Sequence, residues 1–246
     1  VILDCGFRIL DCVVLAVLLL LCGCDSKQGN VAPPVPVIQG NGVVRGKVMF
    51  SGMPPVMHEI PSAACHDSSP AVAIMDETAV VGPAGGMKNV LVTIEGAGPG
   101  APRDPSPILN QIHCTYVPHV IGVTVGQDLI VRSSDATMHN IHISGSAGDM
   151  MNFAMTQSGQ EKHISFAKPE VLRAKCDVHP WMTAYIAVVE NPLFAVTADD
   201  GTFEIKNVPA GSYKLIAWHE QYGRLEQPCV VSDDKPADVT LMYKAE

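Results

Sequence analysis

Between two extended runs, Val171-Leu172-Arg173-Ala174-Lys175 and residues 185–190, the chain carries Cys176-Asp177-Val178-His179-Pro180-Trp181-Met182. A thiol, an imidazole and a thioether at i, i+3 and i+6 fit one short loop wrapped around a single ion. Extended chain on both sides makes that loop a connection between two strands. Upstream, His139-Asn140 opens another short apolar run and offers a second imidazole. One thiolate, two imidazoles and a thioether suit one copper ion, with a trigonal His2Cys set and a weak axial Met. The candidate ligands are therefore His139, Cys176, His179 and Met182.

The rest of the chain reads as all-β. Gly and Pro punctuate short apolar runs, aromatic content is only 5%, and no helical stripe follows residue 30. Strands are expected over 43–50, 88–94, 109–116, 120–125, 128–133, 139–143, 163–166, 170–176 and 185–190. The last seven lie close enough together for one sandwich. Further short strands follow residue 193, and Asp200-Gly201 is a strong hairpin signal because such turns need residues tolerant of positive φ.

Cys-x2-His-Pro-x-Met is similar to the ligand loop of amicyanin-type small blue-copper proteins. His139-Asn140 resembles the His-Asn pair of plastocyanins, whose Asn ties the two ligand-bearing loops together. With Tyr116-Val117-Pro118, Val125-Gly126-Gln127-Asp128 and Ser133-Ser134-Asp135, the resemblance to cupredoxins spans about 108–190, within an expected domain of 105–190. Lys175 stands before the cysteine, and Ser134 replaces the usual Asn. The resemblance implies a Greek-key β-sandwich with a type 1 copper ion acting as a one-electron carrier, not an enzyme.

The tail, 193–246, resembles a carboxypeptidase regulatory-like β-sandwich through Asp199-Asp200-Gly201-Thr202-Phe203 and Val208-Pro209-Ala210-Gly211-Ser212-Tyr213. The opening strand of that family looks like Gly46-Lys47-Val48-Met49-Phe50. Segment 43–98 is thus either the first half of that second sandwich, with the cupredoxin inserted, or an independent hairpin.

Other metals fit poorly. A closed zinc site wants Cys, His or carboxylate donors, and Met is a poor fourth. A binuclear copper centre needs a second cysteine in the loop, and wiring to a catalytic copper needs a His beside Cys176, where Lys175 and Asp177 stand.

Residues 1–23 read as an export signal, with Leu21-Cys22-Gly23 before Cys24 resembling a bacterial lipoprotein site, an ordinary cleaved signal or a short membrane anchor being the alternatives. Lipid on Cys24 would anchor the protein to the extracytoplasmic, periplasmic face of a membrane. The Pro- and Gly-rich stretch 24–42 would be the tether. In that oxidising setting a Cys65–Cys114 disulfide leaves Cys176 for metal, with Cys65–Cys229 an open alternative. A net charge of -9 with no basic run argues against nucleic acid and leaves redox proteins, such as cytochromes or a copper or haem oxidoreductase, as partners. A copper-scavenging lipoprotein and a non-redox surface scaffold are the alternatives.

Several residues compete for attention. His142 is the alternative to His139, although strand alternation turns it to the other face. Trp181 is either an electron port or a packing residue, and His119 is either surface or core. Trp218-His219-Glu220 reads as a domain-contact loop. Met150, Met151 and Met155 read as space-filling rather than as a copper shuttle.

Overall fold

The computed structural model describes residues 36–61 and 73–245. The signal-like segment, Cys24, most of the tether and Cys65-His66-Asp67 lie outside the described residues. The described chain is all-β.

In chain order the strands are β1 (Gly42–Ser51), β2 (Glu59–Ile60), β3 (Ile74–Met75), β4 (Leu91–Glu95), β5 (Ile108–Ile112) and β6 (Thr115–Val117). There follow β7 (Val120–Thr124), β8 (Leu129–Ser133), β9 (His139–Gly145), β10 (Gly148–Met155), β11 (Glu161–Ile164) and β12 (Glu170–Lys175). The last are β13 (Thr183–Val189), β14 (Phe194–Val196), β15 (Thr202–Val208), β16 (Gly211–His219), β17 (Gly223–Val231) and β18 (Ala237–Lys244).

Two pairs of sheets each enclose a core. A five-stranded sheet, β10-β9-β12-β13-β7, and a four-stranded sheet, β11-β8-β5-β6, bury Leu109, Tyr116, Leu129, Ile141, Ile143, Leu172 and Ile186 among others. Alternation along β8, whose Leu129, Val131 and Ser133 are buried while Ile130 and Arg132 are half-buried, gives the period of two that such packing requires. The other pair, β15-β1-β18 and β14-β4-β16-β17, closes around Val44, Val48, Ile94, Ile205, Leu215 and Leu241.

Strands from both ends of the chain build this second body. β1 lies antiparallel to β15 and parallel to β18, and β4 lies between β14 and β16. The hairpin turn at Gly201 has φ of 78°, and a Cβ there would stand 2.4 Å from the Val48 carbonyl, so the turn and its close approach both require glycine. The two bodies meet at Leu91, Val120 and Ala187, with Tyr185, Phe194 and Trp218 packed alongside. Trp218-His219-Glu220 belongs to this seam: Trp218 sits edge-on to Tyr185 at 5.3 Å, and Glu220 hydrogen-bonds the buried His119.

One expectation needs correction, and two strands add to those expected. Residues 109–116 are not one strand but β5 and β6, joined by a tight turn at His113-Cys114, both with left-handed φ near 50°. β10 was not anticipated, because as an edge strand it is exposed along most of its length and lacks clean alternation. β17 carries Pro228, which an edge strand tolerates because its missing N–H need not enter a ladder.

Candidate metal centre

Antiparallel pairing of β9 with β12 brings the candidate ligands to one end of the five-stranded sheet. Their register runs Arg173↔Ser144, Ala174↔Ile143 and Lys175↔His142, so the start of β9 lies where β12 ends. The β12–β13 ladder closes at Lys175↔Thr183, and the loop from Cys176 to Met182 opens there, facing His139. Inside the loop, Met182 N–H donates to the His179 carbonyl at 2.9 Å and Cys176 N–H to the Met182 carbonyl at 3.1 Å. His179 N–H points at the Cys176 sulfur, 3.4 Å away.

His139, Cys176 and His179 converge. Their donor atoms all lie within 4.8 Å of one another. Nδ1 of His139 is 3.0 Å from Nδ1 of His179, which is 3.7 Å from the Cys176 Sγ. Met182 is in the same buried cluster as Cys176, and none of the four side-chain-bearing residues is more than 3% exposed. Water is therefore kept from the donors.

Around them the polar groups are paired. The Asn140 side-chain carbonyl accepts from the Asp177 N–H at 2.7 Å and from the Cys176 thiol at 3.3 Å, so it spans both ligand-bearing segments. Nε2 of His139 meets the Asp135 carboxylate at 2.8 Å. A carboxylate cannot donate, so this contact places a proton on Nε2 and leaves Nδ1 as the atom turned towards His179 and Cys176.

Burial disfavours the charged ring of His139, but hydrogen bonds with Asp135 and then Cys176 outweigh it and raise its pKa to about 9. Burial likewise works against the Asp135 carboxylate and the Cys176 thiolate. In both the hydrogen bonds win, chiefly that from His139, and both titrate below their usual ranges. A lowered pKa eases loss of the thiol proton, and the thiolate is the form in which cysteine ligates metals.

His142 does not join the cluster. Its ring lies between the carboxylates of Asp177, 3.1 Å away, and Asp149, 2.9 Å away. Those contacts raise its pKa, Asp177 foremost, and His142 in turn holds the Asp177 carboxyl well below the usual carboxylate range. Trp181 packs against His179 with ring centroids 5.3 Å apart, and its indole N–H donates to the Cys114 carbonyl at 2.9 Å. Met155 is in the core, Met151 is packed against it and Met150 is half exposed, so these three form no donor cluster.

A second convergence joins Cys114, Asp135 and His139. Cys114 is disulfide-bonded, which removes it as a thiolate donor, while Cys176 and Cys229 are free thiols. A Cys65–Cys229 bridge is therefore ruled out, and the partner of Cys114 lies outside the described residues. Asp135 was not singled out as a functional residue in the sequence. The available signal was a carboxylate four residues before His139.

The chain is similar over part of its length to several solved structures. A proline-to-glycine variant of amicyanin, in its reduced Cu(I) form at pH 4, is 20% identical over 39% of this chain and 97% of its own, with a TM-score of 0.32. A reduced tryptophan-to-tyrosine variant of amicyanin is 22% identical over the same shares, again at 0.32. A purple cupredoxin from Nitrosopumilus maritimus is 18% identical over 34% of this chain and 99% of its own, at 0.30. No protein-family model and no curated protein matches the chain. The donor cluster itself is what bears on function.

Proposed function

We propose that this protein is a type 1 copper protein of the cupredoxin kind that carries one electron at a time between redox proteins. The observation that supports this reading is the dry convergence of His139 Nδ1, His179 Nδ1 and Cys176 Sγ on a loop closed by Met182. The donors match copper's preferences. His139, His179 and Cys176 would be the strong donors and Met182 the weak axial one. Bound there, copper supplies a one-electron couple.

The chain's own residues do the remainder. Asn140 and the loop's internal hydrogen bonds hold the donors in place before any ion arrives, which keeps reorganisation small when charge changes. Burial excludes water and competing ligands. Exposed apolar side chains beside the donors, Val178 and Met138, offer a face for a redox partner such as a cytochrome or a copper or haem oxidoreductase.

Around this centre, we read 1–23 as an export signal, Cys24 as a lipid attachment site and 24–42 as a tether, which would place the carrier on the periplasmic side of a bacterial membrane. Residues 105–190 would be the cupredoxin domain. Segments 43–98 and 193–246 would together form a carboxypeptidase regulatory-like sandwich, a reading supported by their shared core.

Titration of the purified protein with Cu(II) tests the function. One equivalent should give an intense visible charge-transfer band, reversibly bleached on reduction and absent in Cys176→Ser. Tight, colourless Cu(I) binding would instead favour copper scavenging. No stoichiometric copper would sink both readings and leave a scaffold role.

A further inference from the structure

The two histidine donors stand on different segments, yet both are braced from a single turn. The hairpin between β5 and β6 turns through His113 and Cys114, with φ of 54° and 52°. That sign at both central residues is what a type I′ turn demands, and it ordinarily selects Asn or Gly. Neither is present here. The turn is held instead by its surroundings: the Asp135 carboxylate accepts from His113 N–H at 2.7 Å and from Cys114 N–H at 2.9 Å, and Cys114 is covalently tied by its disulfide.

From this turn one contact leads to each imidazole. Asp135, with its two oxygens on the turn's N–H groups, also accepts from Nε2 of His139 at 2.8 Å. On the other side, the Cys114 carbonyl accepts from the Trp181 indole N–H, and the Trp181 ring packs against His179. Cys114, Asp135 and His139 are all buried, so no water competes for these bonds.

We propose that Asp135 and Trp181 are the positioning residues of His139 and His179, and that both take their placement from the disulfide-closed His113-Cys114 turn. This rests on the copper reading for its consequence, but not for its geometry. With Asp135 anchored by two backbone donors, the His139 ring has one orientation and one tautomer, with Nδ1 presented to the ion. Trp181, pinned at its indole nitrogen, limits the swing of His179. Opening the Cys114 disulfide would loosen both braces at once. The integrity of a covalent bond that touches no metal donor would thereby reach the copper's spectrum and potential.

Two sets of measurements decide the matter. In the metal-free protein, nuclear magnetic resonance follows the His139 Nε2–H and Trp181 indole signals, with the Trp218 indole as an internal control remote from the turn. Cys114→Ser should shift or broaden the first two and leave Trp218 in place. Asp135→Asn, with the disulfide intact, should move the His139 signal most and the Trp181 indole signal less, because Asp135 also holds the turn, and Trp181→Phe should perturb His179 while leaving the His139 Nε2–H signal in place. These two variants decide the proposal if Cys114→Ser fails to fold.

In the copper-loaded protein, Cys114→Ser should move the midpoint potential and the ratio of charge-transfer bands. It should add little to an Asp135→Asn/Trp181→Phe background. A Cys114→Ser variant that melts earlier yet keeps its signals, potential and spectrum would overturn the proposal, as would an unmoved His139 signal in Asp135→Asn. If the wild-type protein takes up no copper, the function proposed above fails, while the metal-free signals still judge the bracing.

Discussion

The side-chain carbonyl of Asn140 accepts the backbone N–H of Asp177 at 2.7 Å, which locks the segment after His139 to the segment after Cys176. Asn140 also donates to Asn152 at 2.8 Å and receives the Cys176 thiol at 3.3 Å, so its amide is satisfied on both ends. Asn140→Ala leaves a backbone N–H and a thiol without their partner. Leaving a buried polar group unpaired costs about 1–3 kcal/mol. Urea denaturation of the metal-free variant should show a loss in that range, and an unchanged midpoint would mean the two loops are held by something else.

His139 and His142 make a direct contrast. The first is fully buried with the other donors, and the second is engaged by Asp149 and Asp177 outside the cluster. His142→Ala should retain one equivalent of copper and its charge-transfer band, whereas His139→Ala should lose the band. Retention by both variants would remove His139 from the ligand set.

The seam between the two sandwiches makes a prediction about packing. A Cβ on Gly122 would stand 2.1 Å from the Phe194 ring, over which the Arg103 guanidinium lies 5.0 Å from the ring centroid. Overfilling a packed contact costs roughly 1–3 kcal/mol. Gly122→Ala should therefore lower the free energy of unfolding by that amount. Gly122→Ala/Phe194→Ala should recover the part due to the clash, though not the packing that Phe194 itself provides.

His219 makes stability depend on pH. Burial pushes its pKa down to about 4; the neighbouring Glu220 opposes the shift and His119 adds to it. An unfolded chain takes up a proton near pH 6.5 that the folded ring refuses. Stability from this group is thus whole above about pH 6.5 and falls as pH drops towards 4, by roughly 3 kcal/mol in all. His219→Asn keeps an acceptor for the Gln221 N–H, which His219 Nδ1 now receives at 3.2 Å. Denaturation at pH 4.5 and pH 7 should show a smaller difference in the variant than in the wild type; equal differences would mean His219 is not the source.

The candidate ligands and the β character of the chain were legible because both are local. Three donors occupy seven consecutive positions, and alternation with period two needs only a few residues to appear. The same locality identified Asp200-Gly201 as a turn, since positive φ is a property of single residues. Residues that act at a distance were not legible in this way. Asp135 reaches His139 and the His113-Cys114 turn through its carboxylate, and Trp181 reaches Cys114 across 67 positions. The hairpin hidden inside 109–116 belongs with them, because its left-handed residues are stabilised by Asp135 rather than by Gly or Asn.

By itself, then, the sequence determined the β character of the chain and marked a set of candidate ligands at strand ends. It left open whether segment 43–98 stands alone. Tertiary structure decided that β1 joins β15 and β18 in one sheet, as well as which imidazole faces the thiol and what braces each ring. Pairing between distant strands depends on which long-range contacts bury apolar faces together, and no window of neighbouring residues contains that information.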